Sequence, residues 1–287
     1  MSIRMAIPNK GRLSEKAIEL LSKSGIGLDE DWGRSLHVKA KNLDVEIILV
    51  RAQDIPSFID LGVIDFGITG EDMVAESGFN LLTLAKLCFG VCRLSVAAPE
   101  SCGYRSIKDI PSGTRIATSF PNLTKRHFES IGKNMMVIQV SGAVEIMPLL
   151  GVSDVVSDLV ATGSTLKAHR MAEIGKIMDS QAAIFASESS MRSKGNEIND
   201  IVDAILSVIV AEDMKYLMAD VPKDKLDFIM TNFPGIGGPT VMNISGNDSM
   251  VAIHVVVPSS SVYDAVNQLK KLGAKGILSL SIERLVE

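Results

Sequence analysis

The sequence predicts an α/β protein in which two lobes enclose a cleft and a smaller βαββαβ tail follows. Three observations carry that expectation. Through the first two thirds of the chain, short apolar runs alternate with helix-period segments, the pattern of sheets flanked by helices. Apolar passages near residues 90 and 180 are placed to take the chain from one lobe to the other and back. From Glu212 the order becomes strand, helix, two strands, helix, strand, the split arrangement of ferredoxin-like domains. Residues 1–90 with 180–211 are thus expected to form the first lobe, 91–179 the second, and 212–287 the tail.

Taken in order, Ile3-Arg4-Met5-Ala6-Ile7 reads as a buried strand, and Leu13, Ala17, Ile18, Leu20 and Leu21 share one face of the next helix. Between them lies Pro8-Asn9-Lys10-Gly11-Arg12, at the kind of strand end where open α/β sheets bind ligands. The same two cations would also suit a solvated basic turn. Residues 45–50 form the next strand and end at Arg51. Residues 64–68 lead into Thr69, Gly70 and an acidic helix start at Glu71 and Asp72. Three strand ends thereby supply Lys10, Arg12, Arg51, Thr69 and Asp72.

Residues 82–87 and 91–98 read as strands, the second long enough to cross between lobes, and 99–113 as a loop-rich passage. Strand 115–118, a loop through Thr124, a helix holding Lys125 to Phe128, and strand 135–140 follow. Ser141-Gly142-Ala143-Val144-Glu145 is expected to open a helix ending near Gly151. Glu145 would serve as a ligand for a hydroxyl or a base, or as ordinary compensation of a helix dipole. Residues 174–178 and 182–186 read as strands returning the chain to the first lobe, and 198–210 as a helix.

The stretch from Asp158 to Leu166 is the most informative. Val155-Val156 stand behind it as a short strand with Asp158 at its end, and Thr162-Gly163-Ser164-Thr165 is a turn of hydroxyls around a glycine, entering a helix. Free N–H groups and a partial positive charge make such a turn a ready phosphate site. An acid just before it suits sugar hydroxyls or magnesium. The same residue types also make plain helix caps, and local chemistry leaves both readings open.

In the tail, residues 215–221, 240–244, 250–257 and 276–282 are the expected strands, and 223–232 and 261–272 the helices. No catalytic cluster stands out there, which suggests a regulatory or assembly module.

Composition narrows the function. The formal charge of -5, with no basic run, argues against nucleic acid as a partner. No apolar stretch approaches the roughly 20 residues of a membrane span, and the first residues lack the features of a signal peptide. Cys88, Cys92 and Cys102 are loosely spaced for a metal, but the first two lie in an apolar run where core thiols are commoner. The expectation is a reduced, cytoplasmic protein. His37, His127, His169 and His254 form no metal-spaced pair and read as surface or packing residues.

Glu145, Gly151, Ser153, Val156, Asp158, Leu159, Thr162, Gly163, Thr165 and Leu166 match, at every spacing, the signature of the ATP phosphoribosyltransferases. Ile7 to Leu13, Asp65 to Gly70, and Ala117-Thr118 with Pro121-Asn122 also resemble that family, so the likeness covers the whole chain, in the long form with a C-terminal regulatory domain. It implies a type II periplasmic-binding-like catalytic part and a magnesium-requiring reaction. In that reaction adenine N1 of ATP displaces pyrophosphate from phosphoribosyl pyrophosphate, as the first step of histidine biosynthesis.

The resemblance also implies roles. Ala161, Thr162, Gly163, Ser164 and Thr165 would hold the 5-phosphate, and Asp158, with Asp154, the ribose hydroxyls. Lys10, Gly11, Arg12 and Arg51 would grip phosphates of ATP or pyrophosphate, with Thr69 and Asp72 beside them and Glu145 near sugar or base. Feedback inhibition by histidine would use Asp220, Ile236, Thr240, Val256 and Gly276. Gly237-Gly238 replaces the more varied pair usual before Pro239-Thr240. Dimers passing to hexamers are expected. A solute receptor would need neither the hydroxyl turn nor three cationic strand ends. Other phosphoribosyltransferases place two adjacent acids before the hydroxyls, where Ser157-Asp158 has one, and no Gly-x-Gly-x-x-Gly follows the first strand.

Overall fold

The computed structural model describes residues 2–27, 35–233 and 235–286. The chain divides into two compact units: 1–22 with 26–202, and 23–25 with 203–287.

The first unit holds two sheets. Strands β1 (Ile3–Pro8), β2 (His37–Lys39), β3 (Val45–Val50), β4 (Phe66–Gly70), β5 (Leu82–Lys86) and β11 (Ala182–Ala186) form one, in the order β2-β3-β1-β4-β11-β5. The other contains β6 (Cys92–Pro99), β7 (Arg115–Thr118), β8 (Met136–Gln139), β9 (Val155–Val160) and β10 (Met171–Ser180), in the order β10-β6-β9-β7-β8. Leaving aside the edge strand β2, the two orders are equivalent. In each, the strand that first enters from the other lobe, β11 or β6, is inserted antiparallel between its neighbours. This shared order is the type II periplasmic-binding arrangement. Helices α1 (Arg12–Lys23), α2 (Ile55–Asp60) and α3 (Glu71–Ser77) belong to the first lobe, α4 (Pro121–Ser130) and α5 (Ser164–Ala168) to the second, and α6 (Glu188–Glu212) follows β11.

Alternation along the strands builds the second lobe's core. Val96, Ala98, Ile116 and Val155 pack with Phe128 on one face, while Ala97, Ala117, Val156 and Val160 pack with Val144, Leu166 and Met171 on the other, as a period of two requires. Asp158 therefore shares the face of Val156 and Val160, under the turn that carries Glu145. Ser157 points the other way, where its Oγ accepts from Thr124 Oγ1 at 3.0 Å.

Several boundaries differ from expectation. Strand β9 runs on past Asp158 to Val160, because its pairing with β6 continues to Val160 opposite Arg93. The expected helix after Ser141 is a single 3-10 turn, Val144–Ile146, entered through a left-handed Ala143 (φ 49°) and followed by Pro148. The expected loop through Thr124 is shorter, since α4 begins at Pro121, whose missing N–H costs nothing in a first turn. Residues 174–178 belong to β10, which stays in the second sheet through Ser180. The chain returns only at Gln181. The edge strand β2, three residues with polar ends, carries too little pattern to be seen in the sequence.

The second unit is a four-stranded antiparallel sheet of β12 (Met214–Pro222), β13 (Thr240–Ile244), β14 (Asn247–Pro258) and β15 (Lys275–Ser281), in the order β13-β14-β12-β15. Helices α7 (Leu226–Asn232) and α8 (Val262–Lys271) contribute Ile229, Ala265 and Leu269 to a core with Leu217, Ala219, Val221, Val251, Ile253, Val255 and Val257. This is the ferredoxin-like βαββαβ order.

Candidate functional site

At the C-terminal end of β9 the chain turns through Ala161 and Thr162 into Gly163, whose φ of +77° lies in the region that glycine tolerates best. Gly163 is the N-cap of α5 and supplies no side-chain cap. Thr162 Oγ1 and Ser164 Oγ lie 3.0 Å apart, and Ala161, Thr162, Ser164 and Thr165 are exposed. The hydroxyls and first amides of the turn are thus open to a ligand.

Beneath the turn, Asp158 is partly buried and forms no ion pair among the described residues; its Oδ1 accepts from the N–H of Leu159 at 2.8 Å. Burial pushes its carboxyl above the usual range, and the charge of Glu145 pushes the same way. Two carboxylates near enough to repel, one of them desolvated, are poised for a polyhydroxyl or a cation. Glu145 also lines a cavity of about 710 Å³ with Pro99, Pro148, His169 and Arg170.

In the first lobe, the N–H of Asn9 donates to the Val50 carbonyl at 2.8 Å, so the loops after β1 and β3 lie side by side. Gly11 adopts a positive φ of 79°, and Lys10, Gly11, Arg12 and Arg51 are exposed at this sheet edge. Among the described residues none of the three cations is in an ion pair. Asn9 Oδ1, shielded from solvent, has no hydrogen-bond partner among the described residues.

Three residues expected at the site are committed elsewhere. Thr69 is fully buried and its hydroxyl donates to the Ala52 carbonyl at 2.8 Å. Asp72, 3% exposed, accepts from Ser180 Oγ at 2.7 Å, and its own N–H donates back to that hydroxyl at 3.0 Å. Burial raises its carboxyl's pKa. Asp72 thus secures the point where β10 hands over to β11. Asp154 precedes β9, at the opposite end of the strand from the hydroxyl turn, roughly 20 Å away at about 3.3 Å per residue. It is held side-on by Arg115, at 2.7 Å to Nη2 and 3.2 Å to Nε, which keeps its carboxyl below the usual range. The structure therefore does not bring Asp154 to the ribose position beside the turn.

One support was not visible in the sequence. Arg93 donates to the Ala161 carbonyl at 3.3 Å while Glu173 grips its Nε at 2.6 Å, and Ser95 Oγ donates to the same carboxylate at 2.8 Å. The three residues come from neighbouring strands β6 and β10, and only sheet pairing unites them.

In the second unit, Asp220 lies opposite Ala252 on β14 and Lys275 on β15, and a Cβ on Gly276 would stand 3.5 Å from Asp220 Oδ2. Thr240 pairs with His254, and Gly235 packs against Val255 and Val256, bringing Ile236 to that end of β14. The five residues expected to bind histidine thus fall into two groups in one chain. Val256 is four residues along β14 from the partner of Asp220, about 13 Å. Pro234 lies outside the described residues.

The resemblance noted in the sequence implies a metal ion. Among the described residues no three His, Cys, Asp or Glu side chains gather into a metal cage. The donor set, Asp158 with Glu145 nearby, fits a hard cation that arrives on substrate phosphates and takes one or two protein carboxylates.

An open hydroxyl turn on one lobe and a cationic edge on the other make this a two-lobed α/β group-transfer enzyme. Residues 51–207 match the family HisG: ATP phosphoribosyltransferase, and 211–284 match the HisG C-terminal domain. An ATP phosphoribosyltransferase of Methanococcus maripaludis is 42% identical over 99% of this chain and 100% of its own length. One from Gemmatimonas aurantiaca is 43% identical, covering 99% of each chain. A solved structure described as the ATP phosphoribosyl transferase (HisG:HisZ) complex from Thermotoga maritima aligns with a TM-score of 0.65 at 31% identity, over 72% of this chain and 98% of that one. The chain belongs to the ATP phosphoribosyltransferase family, in the form with a C-terminal domain, and is a pentosyltransferase of histidine biosynthesis.

Proposed function

We propose that the chain joins ATP to phosphoribosyl pyrophosphate, with magnesium on the pyrophosphate, to give phosphoribosyl-ATP and pyrophosphate. The observation that carries this reading is the open Thr162–Thr165 turn above a half-buried Asp158 with no cationic partner among the described residues. The turn would take the 5-phosphate through hydroxyls and helix amides, leaving Asp158 at the height of the ribose hydroxyls. Lys10, Arg12 and Arg51 would hold the phosphates of ATP or the leaving pyrophosphate. Magnesium, when bound, offsets charge that develops on the leaving group. The chain needs no covalent nucleophile: adenine N1 attacks the anomeric carbon, the carbon–oxygen bond to pyrophosphate breaks, and orientation of two anionic substrates is the main task. Incubation with ATP, phosphoribosyl pyrophosphate and magnesium should give the product's absorbance. No product with either substrate saturating rejects the reading.

Histidine as feedback inhibitor, a cytoplasmic location and homo-oligomers passing from dimer to hexamer complete the proposal, supported by the family's long form. Asp220→Ala should relieve inhibition by histidine while leaving the uninhibited rate within about twofold, since Asp220 belongs to the second unit and is none of the residues assigned to the transfer. Unchanged inhibition would remove Asp220 from the histidine site.

A further inference from the structure

Helices α3 and α4 come from different lobes, and their ends cap one another. Asn122 and Leu123 are the second and third residues of α4, where backbone N–H groups have no partner inside the helix. Pro121 has no N–H to offer, and the N-cap residue Phe120 provides no side-chain cap. Glu76, from the last turn of α3, fills the gap. Its Oε1 accepts from the N–H of Asn122 at 2.9 Å and its Oε2 from that of Leu123 at 2.8 Å. In return, Asn122 Nδ2 donates to the Glu76 carbonyl at 3.1 Å and Arg126 donates to the carbonyl of Ala75. Those two carbonyls belong to the C-terminal turn of α3, where they too lack helical partners.

We infer that this reciprocal capping is a clasp that sets the angle between the lobes, and that Glu76 is a positioning residue for the transfer. The lobes are joined by two crossings, between β5 and β6 and between β10 and β11. Two tethers define an axis, and rotation about it is the soft motion of a two-lobed protein. Asp72 meets Ser180 at that axis. Glu76 stands one helical turn farther out along α3, about 6 Å at 1.5 Å per residue, where a contact resists rotation. The clasp also fills the anion-binding end of α4 with the protein's own carboxylate, directing substrate phosphate to the turn before α5.

This inference rests on the proposed reaction only for its kinetic consequence; the clasp is tested without turnover. Spin labels on Lys39→Cys, in β2, and Lys108→Cys, between β6 and β7, report the distance between lobes. They are placed in full-length chain whose three native cysteines are replaced by serine, diluted with unlabelled chain. Glu76→Ala should lengthen and broaden the distance distribution without substrates, and ATP plus phosphoribosyl pyrophosphate should narrow it again. KM for both substrates should rise about tenfold while kcat changes less than twofold, because binding must then close the lobes. Acetate, a carboxylate able to enter the vacated amide site, should partly reverse the lengthening. A distribution identical to that of the parent chain overturns the clasp. A loss of kcat at unchanged KM overturns the positioning role. Should Glu76→Ala fail to fold, Asn122→Ala removes one arm of the clasp and is read by the same distances. A chain inactive on both substrates would sink the proposed reaction while the distances still decided the clasp.

Discussion

Two aspartates four residues apart, one inside β9 and one just before it, have opposite environments. Asp158, inside β9, is desolvated, lies close to Glu145 and has no cationic partner among the described residues. Asp154, just before β9, is exposed and held by Arg115. The first carries a raised pKa and the second a lowered one. Residue type is the same, and so is the stretch of chain. A carboxylate already paired has little left for a ligand, whereas one kept charged without a partner costs stability and, under the proposed reaction, would gain the missing interaction from substrate.

The largest test of that contrast is Asp158→Asn, expected to lower kcat/KM about 100-fold, the worth of a hydrogen bond to a charged group at roughly 3 kcal/mol. The same variant should be more stable without substrate at pH 7. A raised folded pKa means that the group's contribution is most favourable below the unfolded value and is lost as pH rises through the folded one. The asparagine removes that penalty, and the difference in unfolding temperature should close as pH falls toward the ordinary value of 3.8. Parent-like turnover, or a neutral-pH melting point below the parent's, would break the contrast. Thr165→Val is next: it removes one hydroxyl from the open turn and should cost about tenfold in kcat/KM for phosphoribosyl pyrophosphate, the worth of one charge-assisted hydrogen bond. A steady-state titration of that substrate reads it directly. Smallest is Asp154→Asn, expected to leave turnover within about twofold. Its lowered pKa means that any stability it adds is present above the unfolded value and lost as pH falls through the folded one. A large loss of activity would return Asp154 to the substrate.

The distribution of polar partners explains how much of the site was legible. The hydroxyl turn could be read locally, because the glycine, the hydroxyls and the helix start are consecutive in the chain. The basic edge was equally visible, since Lys10, Arg12 and Arg51 each follow an apolar strand. Thr69 and Asp72 have the same kind of setting and read the same way, and Asp154 came in through the resemblance. Their occupants, the Ala52 carbonyl, Ser180 and Arg115, stand 17, 108 and 39 residues away. Arg93 and Glu173, 80 residues apart, became a brace for Ala161 only through the pairing of β6 with β10.

The sequence by itself determined the alternation of apolar strands and amphipathic helices, the βαββαβ tail and the chemistry of the turn before α5, because these depend on residues within one or two turns or strand lengths of each other. Only the tertiary structure decided which polar groups stay free, how the two sheets share one strand order, and that a glutamate from one lobe caps a helix of the other. A hydrogen bond satisfies whichever donor and acceptor the fold brings within about 3 Å, and sequence distance places no limit on that choice.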